Sequence, residues 1–198
     1  SVNLFAGRDL VISRVESNAS SLLEATDGAI RDGLTGSLSD SLNNARAENL
    51  IVRAGSVVLH AASGIGSASL HLLTEVAGMA VSNQGSGGVF ITERDDLTVT
   101  GSHGSGSNAI DVVAADPTNA SDASGALVLV SSTGALTITG PIQVTGNLLL
   151  KTTAAGKGLP FAGFAERRVM TKDHPVSPAD GDLVAEIFHT IKVKGFRI

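Results

Sequence analysis

A degenerate repeat is what most constrains this chain. Taking Leu50, Leu72, Val89, Ile110, Leu127 and Leu148 as successive strand positions, the steps along the chain are 22, 17, 21, 17 and 21. The segments LTVTG, from Leu97, and LTITG, from Leu136, are separated by close to two such steps. Around these positions run short apolar segments: LVIS from Leu10, LLEAT from Leu22, VVLHA from Val57, VFITE from Val89, LVLVS from Leu127, IQVTG from Ile142 and LLLKT from Leu148. Alternation with period two in runs this short is the strand pattern, one face inward and one outward. The gaps between them, SGIGSAS, NQGSGG and GSHGSGSN, are made of turn residues. A near-constant step of about twenty residues predicts an all-β chain wound as a parallel β-helix (β-solenoid), in which each coil buries its inward residues against neighbouring coils. The alternative is an antiparallel β-sandwich, which also spaces strands every ~8–12 residues. The stretch Ser37 to Arg46, SLSDSLNNAR, fits no coil and reads as an excursion or a short helix.

Composition narrows the chemistry. None of the 198 residues is Cys, so disulfides, thiolate metal sites and a Cys nucleophile are excluded. The net charge is −5 and there is no Trp or Tyr. That combination argues against nucleic acid, which asks for a basic surface and stacking platforms. No apolar run reaches the length of a membrane-spanning helix. The first residue is Ser rather than Met, which suggests a removed leader or a piece of a larger chain.

The character changes near Ala155. Residues 1–150 carry 6 Lys or Arg against 14 Asp or Glu, whereas 151–198 carry 8 against 5. Four of the six Phe and three of the five Pro lie in this tail. We therefore divide the chain into a repeat region, 1–154, and a basic C-terminal segment, 155–198, which caps the solenoid or begins another module. Within it DLVAEIFHTIKV, from Asp182, reads as a strand by alternation and almost as well as a helix capped by Asp182.

Each motif that carries chemistry has a plainer reading. Gly64 and Gly66, followed by Leu70, Leu73 and Val76 at helix-like spacing, resemble a dinucleotide loop, but Ser69 holds the third glycine position and no acidic residue follows Val81 to Asn83. A turn between coils is preferred, and no cofactor is expected. Lys157 in AAGKG lacks the remainder of a phosphate loop. His60, His71, His103, His174 and His189 form no metal or triad spacing, and His60 and His71 are expected on outer strand faces. Asp111, Asp116 and Asp122 offer oxygen ligands that could hold Ca²⁺. Asn18 and Asn119 each begin a formal glycosylation sequon, which matters only on a eukaryotic secretory route.

The cluster Glu93, Arg94, Asp95 and Asp96 is the remaining candidate. Asp95 and Asp96, with His103 nearby, could act as paired carboxylates in glycosidic cleavage. The competing expectation is a solvated corner: Val89, Ile91, Leu97 and Val99 point inward, and the four charged residues turn between them. No catalytic, cofactor or metal residue is assigned.

At AENLIVRAGSVVLHAASGIGSAS, GGVFITERDDLTVTG and GALTITGPIQVTGNLLLKTT the sequence resembles the β-strand repeats of large bacterial surface proteins, the filamentous-haemagglutinin-like and autotransporter-passenger group. The resemblance covers roughly residues 5–153. It implies a right-handed parallel β-helix, secretion or display at the cell surface, and a role as adhesin or stalk toward glycans or neighbouring cells. It brings no catalytic residues. The alternative function is that of a β-helix polysaccharide lyase or hydrolase using Asp95 and Asp96.

Overall fold

The computed structural model describes residues 1–33, 51–100, 109–112 and 126–159, together with the backbone of 185–187. These residues are all β, with no helix among them. The strands are β1 (Asn3–Ala6), β2 (Leu10–Ile12), β3 (Val15–Glu16), β4 (Ser20–Ala25), β5 (Ile30–Asp32), β6 (Val52–Ala61), β7 (Leu72–Asn83), β8 (Val89–Glu93), β9 (Leu97–Val99), β10 (Ile110–Val112), β11 (Leu127–Ser131), β12 (Leu136–Ile138), β13 (Ile142–Val144), β14 (Leu148–Thr152) and β15 (Ala185–Ile187). Twelve of them form one large, unclosed parallel sheet, extended by β15, which runs antiparallel to β14; β2 and β5 pair separately, also in parallel. Pairing among β1–β14 is therefore not that of an antiparallel sandwich.

The pairings fall into three columns. The first stacks β1, β4, Ser56–Ala61 of β6 and Gly78–Asn83 of β7, and continues through β9 and β10 to β12 and β13. The second holds β2, β5 and the bridges from Ile30 to Ile65 and from Ile65 to Val89. The third stacks β3, Val52–Ala54 of β6, Leu72–Thr74 of β7, β8, β11 and β14. From β1 to β8 the chain visits the columns in this order repeatedly, and from β9 to β14 it alternates between the first and the third.

Register follows the inward side chains. Leu23, Leu59 and Val81 are stacked neighbours in the first column, and Ile91, Leu129 and Leu150 in the third, all buried. A one-residue slip would turn every one of these outward, so apolar burial fixes the pairing. Leu23 and Ile91 are completely enclosed; burying each such side chain contributes roughly 1.5–3 kcal/mol.

One step between paired strands separates Leu10 from Ile30, Val57 from Met79, Leu72 from Ile91 and Leu127 from Leu148, all close to the step expected from the sequence. Two steps are far wider: from Ser20 to Ser56, and from Val89 to Leu127. These wide steps correct two expectations from the sequence. Ile110 is not the position between Val89 and Leu127, because β8 pairs β11 directly and Ile110 stacks between Val81 and Ile142. Likewise LTVTG and LTITG are not two steps apart: Leu97 pairs Leu136 and Thr98 pairs Thr137 as immediate neighbours. Residues added between paired strands lengthen the step without separating the pair. Leu50 and the stretch Ser37 to Arg46 lie outside the described residues.

Candidate functional site: the corner from Glu93 to Asp96

Strand β8 ends at Glu93 and β9 begins at Leu97, so the charged cluster is a corner between the third and first columns. Val89, Ile91, Leu97 and Val99 point inward and are buried, as the alternation requires. Asp95 and Asp96 are exposed and Arg94 is half-buried.

Glu93 departs from the expected solvated corner, since its exposure is 0%. The register explains why: Thr74, Glu93, Ser131 and Thr152 are successive partners on four strands, all inward and all buried. Its Oε2 accepts the Thr74 hydroxyl at 2.6 Å, and its Oε1 accepts the backbone N–H groups of Val76 at 3.1 Å, Arg94 at 2.9 Å and Asp95 at 3.4 Å. Burial raises the Glu93 carboxyl to about 8, against the opposing pull of the Thr74, Val76 and Asp95 hydrogen bonds. The other ladder members fasten the corners: Ser131 Oγ donates to the carbonyls of Asp95 and Gly134, and Thr152 Oγ1 donates to that of Gly134.

Outside this ladder the charges pair across strands. Glu75 accepts Arg53 Nη2 at 2.9 Å through one oxygen and Arg94 Nη1 at 2.6 Å through the other. Burial pushes the Glu75 carboxyl up, but the two guanidiniums outweigh it and hold the group below its ordinary value. Main-chain carbonyls of the corner are also used: that of Glu93 accepts Ser132 N–H and Oγ–H, and that of Arg94 accepts Thr133 N–H and both the Ser132 and Thr133 hydroxyls.

Asp96 has a counterpart in Asp9, just before β2, which decides how the pair of aspartates is read. Asp96 Oδ1 accepts Ala135 N–H at 2.7 Å, while Leu97 N–H donates back to the Ala135 carbonyl at 2.9 Å. Asp9 Oδ1 accepts Ala29 N–H at 2.9 Å, while Leu10 N–H donates back to the Ala29 carbonyl at 2.8 Å. Each ring closes on a glycine, Gly134 or Gly28, whose place a Cβ could not share with the backbone of Asp95 and Asp96 or of Arg8 and Asp9. The Ala135 N–H, then Lys157 at 3.5 Å, lowers the Asp96 carboxyl; the Ala29 N–H, then Arg31, lowers Asp9. A carboxyl held low is suited to staying ionised, not to protonating a leaving group at neutral pH.

The remaining candidates are dispersed. His60 lies on an outer face, 3.7 Å from Glu24 of the adjacent strand. His71 does not: it is buried, with Nδ1 2.9 Å from Thr92 Oγ1 and its ring centroid 5.8 Å from that of Phe90, and burial lowers it to about 4. Its place just before β7, against the Phe90 ring, takes it off the exposed face. The turn at Gly64 and Gly66 leads into strand β7 and not into a helix; both glycines have positive φ, 110° and 62°, and Asn83 Oδ1 accepts the Gly64 N–H. That arrangement offers a pyrophosphate no helix N-terminus. Asp111 stacks between Ser82 and Gln143 on the first column. Asp116 and Asp122, which would join it around Ca²⁺, lie outside the described residues, as do His103, His174, His189 and Asn119. Among the described residues no group of three His, Asp or Glu could hold a metal ion.

Sequence reasoning missed Thr74, Ser131 and Thr152, which close around Glu93 and its corner. The signal exists, a polar residue closing each of the strand segments that begin LL, VFIT, LVLV and LLLK, but it becomes visible only once the strands are aligned. No protein-family model matches the chain, and no curated protein or solved structure matches it significantly.

Proposed function

We propose that the chain is a structural and adhesive segment of a large secreted or cell-surface repeat protein. Its columns are the faces of a right-handed parallel β-helix that holds surface loops at fixed spacing for contact with glycans or a neighbouring cell. The observation that carries this reading is the equivalence of Asp96 and Asp9: the carboxylate that sequence patterning offers as catalytic repeats an architectural ring found in the first coil. The repeat style described above supports display at the cell surface. A polysaccharide lyase or hydrolase using Asp95 and Asp96 ranks second, because Asp96 is committed to the Ala135 amide and Lys157.

The test is incubation of the purified chain with a panel of polysaccharides, with and without Ca²⁺, scoring both retained ligand and released sugar ends. Binding without released ends, unchanged in Asp95→Asn, supports the adhesive role. Released ends that vanish in Asp95→Asn and Asp96→Asn would make the corner an active site.

A further inference from the structure

The first column carries a patch whose chemistry the stacking itself does not require. Leu23 and Leu59 point inward from β4 and β6, so the residues on either side of them point outward. Two outward rows cross the strands there. One runs Asn3, Leu22, Val58 and Ala80; the other runs Phe5, Glu24, His60 and Ser82. Ala80 and Ser82 are buried, so the accessible part lies on β1, β4 and β6. Phe5 is 65% exposed, and Leu22 and Val58 beside it are half-buried. Glu24 and His60 are half-buried as well, with Glu24 Oε1 3.7 Å from His60 Nδ1, wider than a hydrogen bond. An aromatic ring and two aliphatic side chains thus flank a carboxylate and an imidazole. Neither row contains Lys or Arg.

We infer that this face seats a neutral, extended glycan, an assignment that rests on the adhesive reading above and gives it a ligand class and a place. A pyranose is itself two-sided: its C–H face packs on an aromatic ring, and its rim of hydroxyls both donates and accepts hydrogen bonds. The Glu24 carboxylate accepts from such hydroxyls, and a neutral imidazole has one donor and one acceptor nitrogen. Spacing favours a chain over a single sugar. Parallel strands stand ~4.8 Å apart, close to the advance per sugar in a flat β-linked ribbon, so Phe5, Glu24 and His60 meet successive units. Charge selects against the alternatives. A uronate or sulfated polymer would bring anions against Glu24, with no Lys or Arg in either row to receive them, and a purely apolar partner would strip the Glu24 carboxylate of water.

Calorimetric titration of the full chain with a soluble cello-oligosaccharide, and with an oligogalacturonate as its anionic counterpart, tests this. The neutral ligand should bind and the anionic one should not. Phe5→Ala and Glu24→Ala should each weaken binding about tenfold, the scale of losing a stacked ring or a hydrogen bond to a charged group. Val11→Ser should bind as the parent does, since Val11 is nearly as exposed, at 61%, but lies on the second column. Parental affinity in both row variants, or equal binding of the oligogalacturonate, overturns the assignment and leaves glycan contact elsewhere on the chain standing. Retention of other polysaccharides but not of the cello-oligosaccharide overturns it likewise, whereas retention of none removes glycan contact from the adhesive reading as well. Should Glu24→Ala fail to fold, amide shifts of the native chain on adding the cello-oligosaccharide decide: changes centred on Phe5, Glu24 and His60 support the site, and changes elsewhere refute it.

Discussion

Gly134→Ala destabilises the protein by on the order of 3 kcal/mol, whereas Gly7→Ala changes it by less than about 0.5 kcal/mol. A Cβ at Gly134 would overlap the Asp95 carbonyl carbon and the Asp96 nitrogen, main-chain atoms that cannot swing aside; a Cβ at Gly7 meets nothing within 4 Å. The corner from Arg94 to Asp96 would have to withdraw, and with it the ring between Asp96 and Ala135. Gly28→Ala should match Gly134→Ala, because Gly28 is pressed on Arg8 and Asp9 in the same way. Urea denaturation of the three variants checks this. A Gly134→Ala protein as stable as the parent would mean that Gly134 and the Asp95–Asp96 backbone do not approach as described.

Asn83→Ala should lose roughly 2–4 kcal/mol, because a buried amide with three partners is removed and those partners are left unmet. Asn83 is completely enclosed at the end of β7. Its Oδ1 accepts Gly64 N–H at 2.8 Å, and its Nδ2 donates to the carbonyls of Ser86 at 3.3 Å and Gly87 at 3.2 Å, so one side chain fastens two successive turns. Asn83→Asp tests the mechanism more sharply. It preserves the acceptor and removes both donors, leaving a carboxylate facing two carbonyls, and should be no more stable than the alanine variant. An Asp variant with parental thermal stability would show that the turns hold without the amide.

Much of the fold is legible in the sequence because strand alternation records burial directly. Val89 and Ile91, then Leu97 and Val99, point inward as their spacing requires. What spacing cannot convey is how many residues separate one strand from its partner. The interval between LTVTG and LTITG divides easily into two of the expected steps, yet Thr98 and Thr137 are direct neighbours. A period counts residues, and residues added between paired strands inflate the count without separating the pair. Glu93 was illegible for another reason. Four adjacent charged residues read as solvated, since charges are rarely enclosed, and two of the groups that admit Glu93 to the interior, the Thr74 hydroxyl and the Val76 N–H, belong to the neighbouring strand β7. Asp9 and Asp96 are alike only through their partners, each followed by Leu and each facing a Gly-Ala pair that precedes the partner strand. That likeness needs the register to be seen.

The most direct test of the stacked parallel columns is a cysteine pair at Thr98 and Thr137 in a chain that has no other cysteine. Neighbouring parallel strands stand ~4.8 Å apart, within the Cα separation a disulfide spans, whereas two steps would be roughly twice that and beyond it. Mild oxidation of Thr98→Cys/Thr137→Cys should give an intramolecular disulfide, detected as a mass loss of two hydrogens under native conditions. The control Phe90→Cys/Asp111→Cys, spaced as the step read from the sequence would demand but placed in different columns, should remain reduced. A control that oxidises while the Thr98 and Thr137 pair stays free would contradict the register, and with it the corner built on that register.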